Sequence, residues 1–142
     1  MSELEKHVDA GPVAKKTVLV VEDEVFIRLY LAEEIRVAGF TAIEASSGDE
    51  AFAVLNSRND IDLVITDIRM PRTMDGLQLA EWVRSQQPRV KVALASSNLL
   101  SIERKSFDAV FSKPFRIEEL LAGVRELLRD ENRPNGAAVD GQ

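Results

Sequence analysis

The sequence predicts an α/β domain of five strand–helix units, (βα)5, doubly wound around one five-stranded parallel sheet. Three observations carry that prediction. Short, continuously apolar runs alternate with segments whose apolar residues recur at three- and four-residue steps. Strands that alternate with helices imply parallel pairing, with helices on both faces and right-handed crossovers. The 142 residues suffice for one ordinary domain and are too few for two separate cores.

Residues 17–21 (TVLVV) read as the first strand, apolar throughout because both faces are covered. Residues 25–38 read as a helix: Phe26, Leu29, Tyr30 and Val37 keep helical spacing, and Gly39 stands just past its end. Residues 41–45 are the second strand. Ser47 and Glu50 form a capping box ahead of Ala51, Phe52, Val54 and Leu55, which starts the second helix. Residues 61–66 are the third strand, and Asp75-Gly76 opens a helix through Leu77, Leu79, Ala80, Trp82 and Val83. Residues 90–95 are the fourth strand, 99–106 a short helix and 109–111 the fifth strand. Ile117, Leu120, Leu121, Val124, Leu127 and Leu128 make the stripe of the last helix, which suits a core or partner surface. Residues 1–16, with Gly11-Pro12 and no periodicity, read as a flexible leader. Residues 17–129 are the folded part, and residues 130–142 read as a disordered tail.

Composition excludes several kinds of chemistry. A chain 45% hydrophobic and 30% charged has the balance of a globular domain. A net charge of −6 argues against direct nucleic-acid binding. The absence of cysteine rules out disulfides, thiolate metal sites and cysteine nucleophiles. His7 is the single histidine, so neither a multi-histidine metal site nor a triad with a buried histidine base is expected. No apolar run approaches membrane-spanning length, and the start lacks a basic region followed by an apolar stretch. The cytoplasm is the expected location.

In a parallel sheet of this kind, chemistry gathers beyond the carboxyl ends of the strands. There stand Glu22-Asp23, Asp67, Ser96-Ser97 and Lys113-Pro114, after strands one, three, four and five. Each has a bland reading alone. Glu22, Asp23 and Ser96 suit helix N-termini, Asp67 an ordinary loop, and Lys113 a solvated surface. Their joint occurrence needs another reason, because clustered carboxylates repel one another. A hard divalent cation such as Mg2+ supplies it, binding carboxylate and carbonyl oxygens and keeping several waters. A carboxylate can also act as a nucleophile toward phosphorus. The cation and a lysine then neutralise the transferring group, and a hydroxyl donates to it.

At these residues the chain resembles the receiver domains of bacterial two-component response regulators. The matching stretches are VLVVEDE (18–24), DLVITDIRMP (62–71), MDG (74–76) and SKPF (112–115). The resemblance covers residues 17–129, essentially the whole folded part. It implies the flavodoxin-like strand order 2-1-3-4-5. It implies Asp67 as phosphoacceptor, and Glu22, Asp23, Asp67 and the backbone carbonyl of Arg69 as the Mg2+ site, with Mn2+ the alternative ion. Ser96 and Lys113 would bind the phosphoryl group, and the Lys113-Pro114 peptide would be cis. The implied donor is a sensor histidine kinase or a histidine phosphotransfer protein. The receiver catalyses its own phosphorylation and dephosphorylation, and is not an enzyme with a separate small-molecule substrate. A tail of this length leaves no room for an output domain, so a stand-alone receiver is expected to signal by contact with a downstream protein. Exposed parts of the last two helices offer a surface for a homodimer.

Four features depart from the family pattern. The acidic pair is Glu22-Asp23, not Asp-Asp. The loop after Asp67 is one residue longer than usual. The interval from Ser96 to Lys113 is short, which reduces the fourth helix. Val110 replaces an aromatic residue, while the adjacent Phe111 points to the other face by strand alternation. The last two predict a switch that survives at Ser96 but uses a different readout. Two other functions compete. A phosphate-independent binding module would be marked by loss of Asp67 or Lys113, and both are present. A magnesium-dependent phosphatase with an aspartyl nucleophile would place an aspartate two residues after it, where this chain has Arg69.

Overall fold

A computed structural model describes residues 15–70, 74–97 and 106–129. Five strands form one parallel sheet: β1 (Thr17–Val21), β2 (Thr41–Ala45), β3 (Leu63–Thr66), β4 (Lys91–Ser96) and β5 (Ala109–Ser112). Their order is β2-β1-β3-β4-β5, as expected. Four helices lie among the described residues: α1 (Val25–Val37), α2 (Gly48–Ser57), α3 (Gly76–Gln86) and α4 (Ile117–Leu127). The helix expected at 99–106 falls, except for Ser106, outside the described residues, as do residues 1–14 and the tail from 130.

Strand alternation divides the core in two. Leu19 and Val21 of β1 pack with Val64, Val92 and Leu94 against Ala51 and Leu55 of α2 and Leu79, Ala80 and Val83 of α3. Val18 and Val20 pack with Leu63, Ile65, Ala93 and Ala95 against Leu31, Ala32 and Ile35 of α1 and Leu120 and Val124 of α4. Helices on both faces explain why the β1 sequence shows no polar alternation. Each fully buried Leu, Ile or Val contributes about 1.5–3 kcal/mol of transfer free energy. Val110 and Phe111 follow the same rule: Val110 joins the α2–α3 side and Phe111 the α1–α4 side. The Phe111 ring lies so close to Gly123 of α4 that a Cβ there would come within 2.6 Å of two ring carbons.

Local details differ from the sequence expectation in three places. β3 begins at Leu63, two residues late, although Ile61 is buried. Asp62, just before it, already bonds to both neighbouring strands: its N–H donates to the Thr17 carbonyl at 2.9 Å, its carbonyl accepts the Lys91 N–H at 3.1 Å, and its carboxylate accepts the Thr17 N–H at 2.8 Å. Ser47 caps α2 through the Glu50 N–H at 3.0 Å, but the Glu50 carboxylate reaches one residue further, to the N–H and hydroxyl of Ser46. The reciprocal capping box stands instead on α3, between Asp75 and Gln78. On α1, the core face is Leu31, Ala32 and Ile35, while Phe26, Leu29, Tyr30 and Val37 are exposed. Gly39 ends that helix at φ 107°, a left-handed conformation glycine adopts without strain.

Candidate functional site

The parallel register brings the carboxyl ends of β1, β3, β4 and β5 to one rim. Glu22 follows β1 directly and its N–H extends the ladder to the Ala45 carbonyl at 3.0 Å. The residue is buried at the rim, 5% exposed. Asp67 follows β3 and is half-buried. Lys113 follows β5, and its N–H donates to the Ser96 carbonyl at the end of β4 at 2.9 Å.

Lys113 is the centre of the arrangement. Its Nζ donates to Glu22 Oε1 and to Asp67 Oδ2, each at 2.9 Å. Burial lowers the Lys113 pKa, but hydrogen bonds to the two carboxylates, with their charges, outweigh it and the net shift is upward. The ammonium is therefore fully charged at neutral pH. The remaining oxygens are also engaged. Glu22 Oε2 accepts the Glu24 N–H at 3.0 Å. Asp67 Oδ1 accepts the Ile68 N–H at 2.7 Å and the Arg69 N–H at 3.4 Å. The Thr66 hydroxyl donates to the Asp67 carbonyl at 2.8 Å, and Gly76 N–H to the Ile68 carbonyl at 2.9 Å. Gly76 packs against this turn so tightly that a Cβ would come within 2.2 Å of the Asp67 carbonyl oxygen.

The other expected site residues lie at the same rim. Asp23 and Arg69 are exposed. Ser96 is buried, 3% exposed, at the end of β4. The Lys113–Pro114 peptide is cis. Among the described residues, no three Asp, Glu or His side chains meet as a preformed metal cage. Glu22 and Asp67 meet on Lys113, with Asp23 on the open side. The donor set still fits Mg2+, which uses one or two carboxylates and keeps several waters. Lys113 pairs with two of the three carboxylates at these strand ends and Asp23 adds the third, so one ammonium leaves two negative charges that a divalent cation would match. Beside Lys113 lies an apolar groove of about 480 Å3, lined by Phe26, Ile27, Tyr30, Ser97, Pro114 and Phe115.

Sequence reasoning missed Arg28 and Glu44. Arg28 donates to Glu44 and to the Glu22 carbonyl, tying α1 and β2 to the acidic strand end. The available signal was a cation in the first turn of a helix, where the dipole disfavours it.

The fold and these strand ends define a receiver domain. The chain belongs to the response regulator receiver domain family, whose sequence model matches residues 18–125. Among proteins of known function, it is 31% identical to the sensor kinase CckA of Brucella abortus, over 90% of this chain and 16% of that protein. It is 33% identical to the transcriptional regulatory protein PdtaR of Mycobacterium tuberculosis, over 82% of this chain and 58% of that protein. The chain thus spans between a sixth and just over half of these relatives. Among solved structures it is similar to the response regulator TrrA of Thermotoga maritima in complex with Mg2+-BeF. That likeness has a TM-score of 0.73 at 34% identity, over 80% of this chain and 99% of that one. The receiver domain of NtrX from Brucella abortus gives 0.71 at 30% identity, over 78% and 97%.

Proposed function

We propose that this receiver accepts a phosphoryl group on Asp67, in a Mg2+-dependent reaction, from a phosphohistidine on a sensor histidine kinase or histidine phosphotransfer protein. The observation that carries the reading is the Lys113 ammonium held between Glu22 and Asp67 at three converging strand ends. An Asp67 oxygen attacks phosphorus, the P–N bond to the donor imidazole breaks, and an aspartyl phosphate forms. Lys113 stands within reach of a group on Asp67 and offsets its charge. The buried Ser96 hydroxyl, at the neighbouring strand end, donates to a phosphoryl oxygen. Glu22 and Asp23, with Asp67 and the Arg69 carbonyl, would hold the cation. A bound divalent cation supplies neutralisation of the transferring charge. The solved TrrA complex with Mg2+-BeF supports this cation in a relative.

The apolar groove beside Lys113 and the exposed Phe26 and Tyr30 support a protein as donor, since they offer apolar contact next to the acceptor. The message leaves through a downstream protein. Intact mass after treatment with a small phosphodonor and Mg2+ tests the reading. A single phosphoryl addition to wild type, absent in Asp67→Asn, is expected. No addition, under conditions that phosphorylate another receiver, favours the phosphate-independent binding module. Rapid multiple turnover of the donor favours the phosphatase.

A further inference from the structure

Arg28 occupies the first turn of α1, yet its side chain is only 16% exposed. Two acceptors hold it there. Its Nε donates to Glu44 Oε1 on β2 at 3.2 Å, and its Nη1 donates to the Glu22 backbone carbonyl at 2.9 Å. That carbonyl belongs to the peptide joining Glu22 to Asp23. A peptide unit is planar, so fixing its carbonyl also fixes the Asp23 N–H and the direction in which Asp23 leaves the strand. The preceding peptide is fixed by the Glu22 N–H to the Ala45 carbonyl. Glu44 is gripped a second time by Arg36, whose Nη2 lies 3.4 Å from Oε2 and also donates to the Ala42 carbonyl at 2.9 Å. Both ends of α1 therefore clasp one carboxylate of β2. The first-turn clasp continues to the acidic pair.

We propose that Arg28 is a positioning residue for the divalent-cation site, with Glu44 as its anchor: it orients the Glu22–Asp23 peptide so that the pair can bind the ion. The proposal rests on the Mg2+-dependent acceptor reading above. Its sign separates it from simple electrostatics. Deleting a positive charge beside an acidic pair strengthens cation binding by Coulomb attraction alone. Deleting a support weakens it, commonly by about 10- to 100-fold when the supported groups are metal ligands.

The test is a MgCl2 titration of the full chain, followed by amide shifts around the rim, for wild type, Arg28→Ala, Arg28→Lys and Glu44→Gln. The expected result is about tenfold weaker Mg2+ binding in Arg28→Ala. Arg28→Lys should recover part of it, because an ammonium can serve one acceptor but not both in fixed geometry. Glu44→Gln should show a smaller loss of the same sign. Phosphorylation at saturating Mg2+ should approach the wild-type rate in all three. A merely structural role lowers the unfolding midpoint and leaves Mg2+ affinity unchanged. Unchanged or tighter binding in Arg28→Ala, with wild type binding Mg2+ normally, overturns the proposal and spares the acceptor reading. Absence of Mg2+ binding in the wild type overturns both. Should Arg28→Ala fail to fold, wild-type affinity in Glu44→Gln is the overturning result.

Discussion

Replacing Lys113 by methionine keeps most of the side-chain length and removes its charge, leaving Glu22 and Asp67 to face one another. Both carboxylate oxygens lie 2.9 Å from Nζ, so they are no more than about 5.8 Å apart. At an effective dielectric of about 20, two unit charges at that distance repel by about 3 kcal/mol. The carboxylate side chains are 6% and 21% exposed, so screening is incomplete. Removing one partner of a buried ion pair costs about 3–5 kcal/mol, and the lower end applies to a site open on one side. Lys113→Met should therefore lose about 3 kcal/mol of stability, read by urea unfolding near neutral pH with chelator present. Mg2+ should narrow the gap by replacing the lost cation. In the wild type, Lys113 has a folded pKa raised above its ordinary value of 10.5, because the two carboxylates overcome the opposing effect of burial. Its contribution is then complete below that value and is lost as pH rises through the folded pKa, in the alkaline range. A loss under about 1 kcal/mol, typical of an exposed pair, would refute the reasoning. So would a larger loss that Mg2+ does not relieve.

Three further outcomes are expected. Gly76→Ala must push the Asp67–Ile68 backbone aside, because its Cβ would meet the Asp67 carbonyl oxygen at 2.2 Å and Ile68 Cα at 2.9 Å. A loss of about 3 kcal/mol, with displaced amide signals at Asp67 and Ile68, should appear in denaturation and NMR spectra. Asp75→Ala removes the cap that accepts the Gln78 N–H at 2.8 Å and should cost about 1 kcal/mol, with faster amide exchange confined to the first turn of α3. Mg2+ should raise the melting temperature of wild type by binding the native state. Asp23→Asn should raise the metal-free melting temperature and blunt that response; an undiminished response would remove Asp23 from the cation site.

The sheet was legible because burial on both faces writes a strand as an unbroken apolar run. TVLVV could then be read as β1 without knowing its neighbours. The parallel arrangement followed from alternation with helices, and it places Glu22, Asp67, Ser96 and Lys113 at one rim. Strand alternation likewise separated Val110 from Phe111. Where a side chain's partner is distant in sequence, the pattern was silent. The bond between Lys113 and Glu22 joins residues 91 apart, and the choice of Glu22 over Asp23 follows from which carboxylate the turn after β1 buries. The same holds for Arg28, whose acceptors lie on β2 and on the backbone at the end of β1. Helical spacing identified α1 but not its inner face. A period of 3.6 gives apolar residues on more than one side, and packing against the sheet selects Leu31, Ala32 and Ile35 while leaving Phe26 and Tyr30 outside. The sequence by itself determined the five strands, the four helices seen among the described residues and the chemical types at the rim, because these follow from local periodicity and parallel connection, while the strand order came from the family resemblance. Only the tertiary structure decided which charges pair and which helix face meets the core, because both depend on distances between segments far apart along the chain.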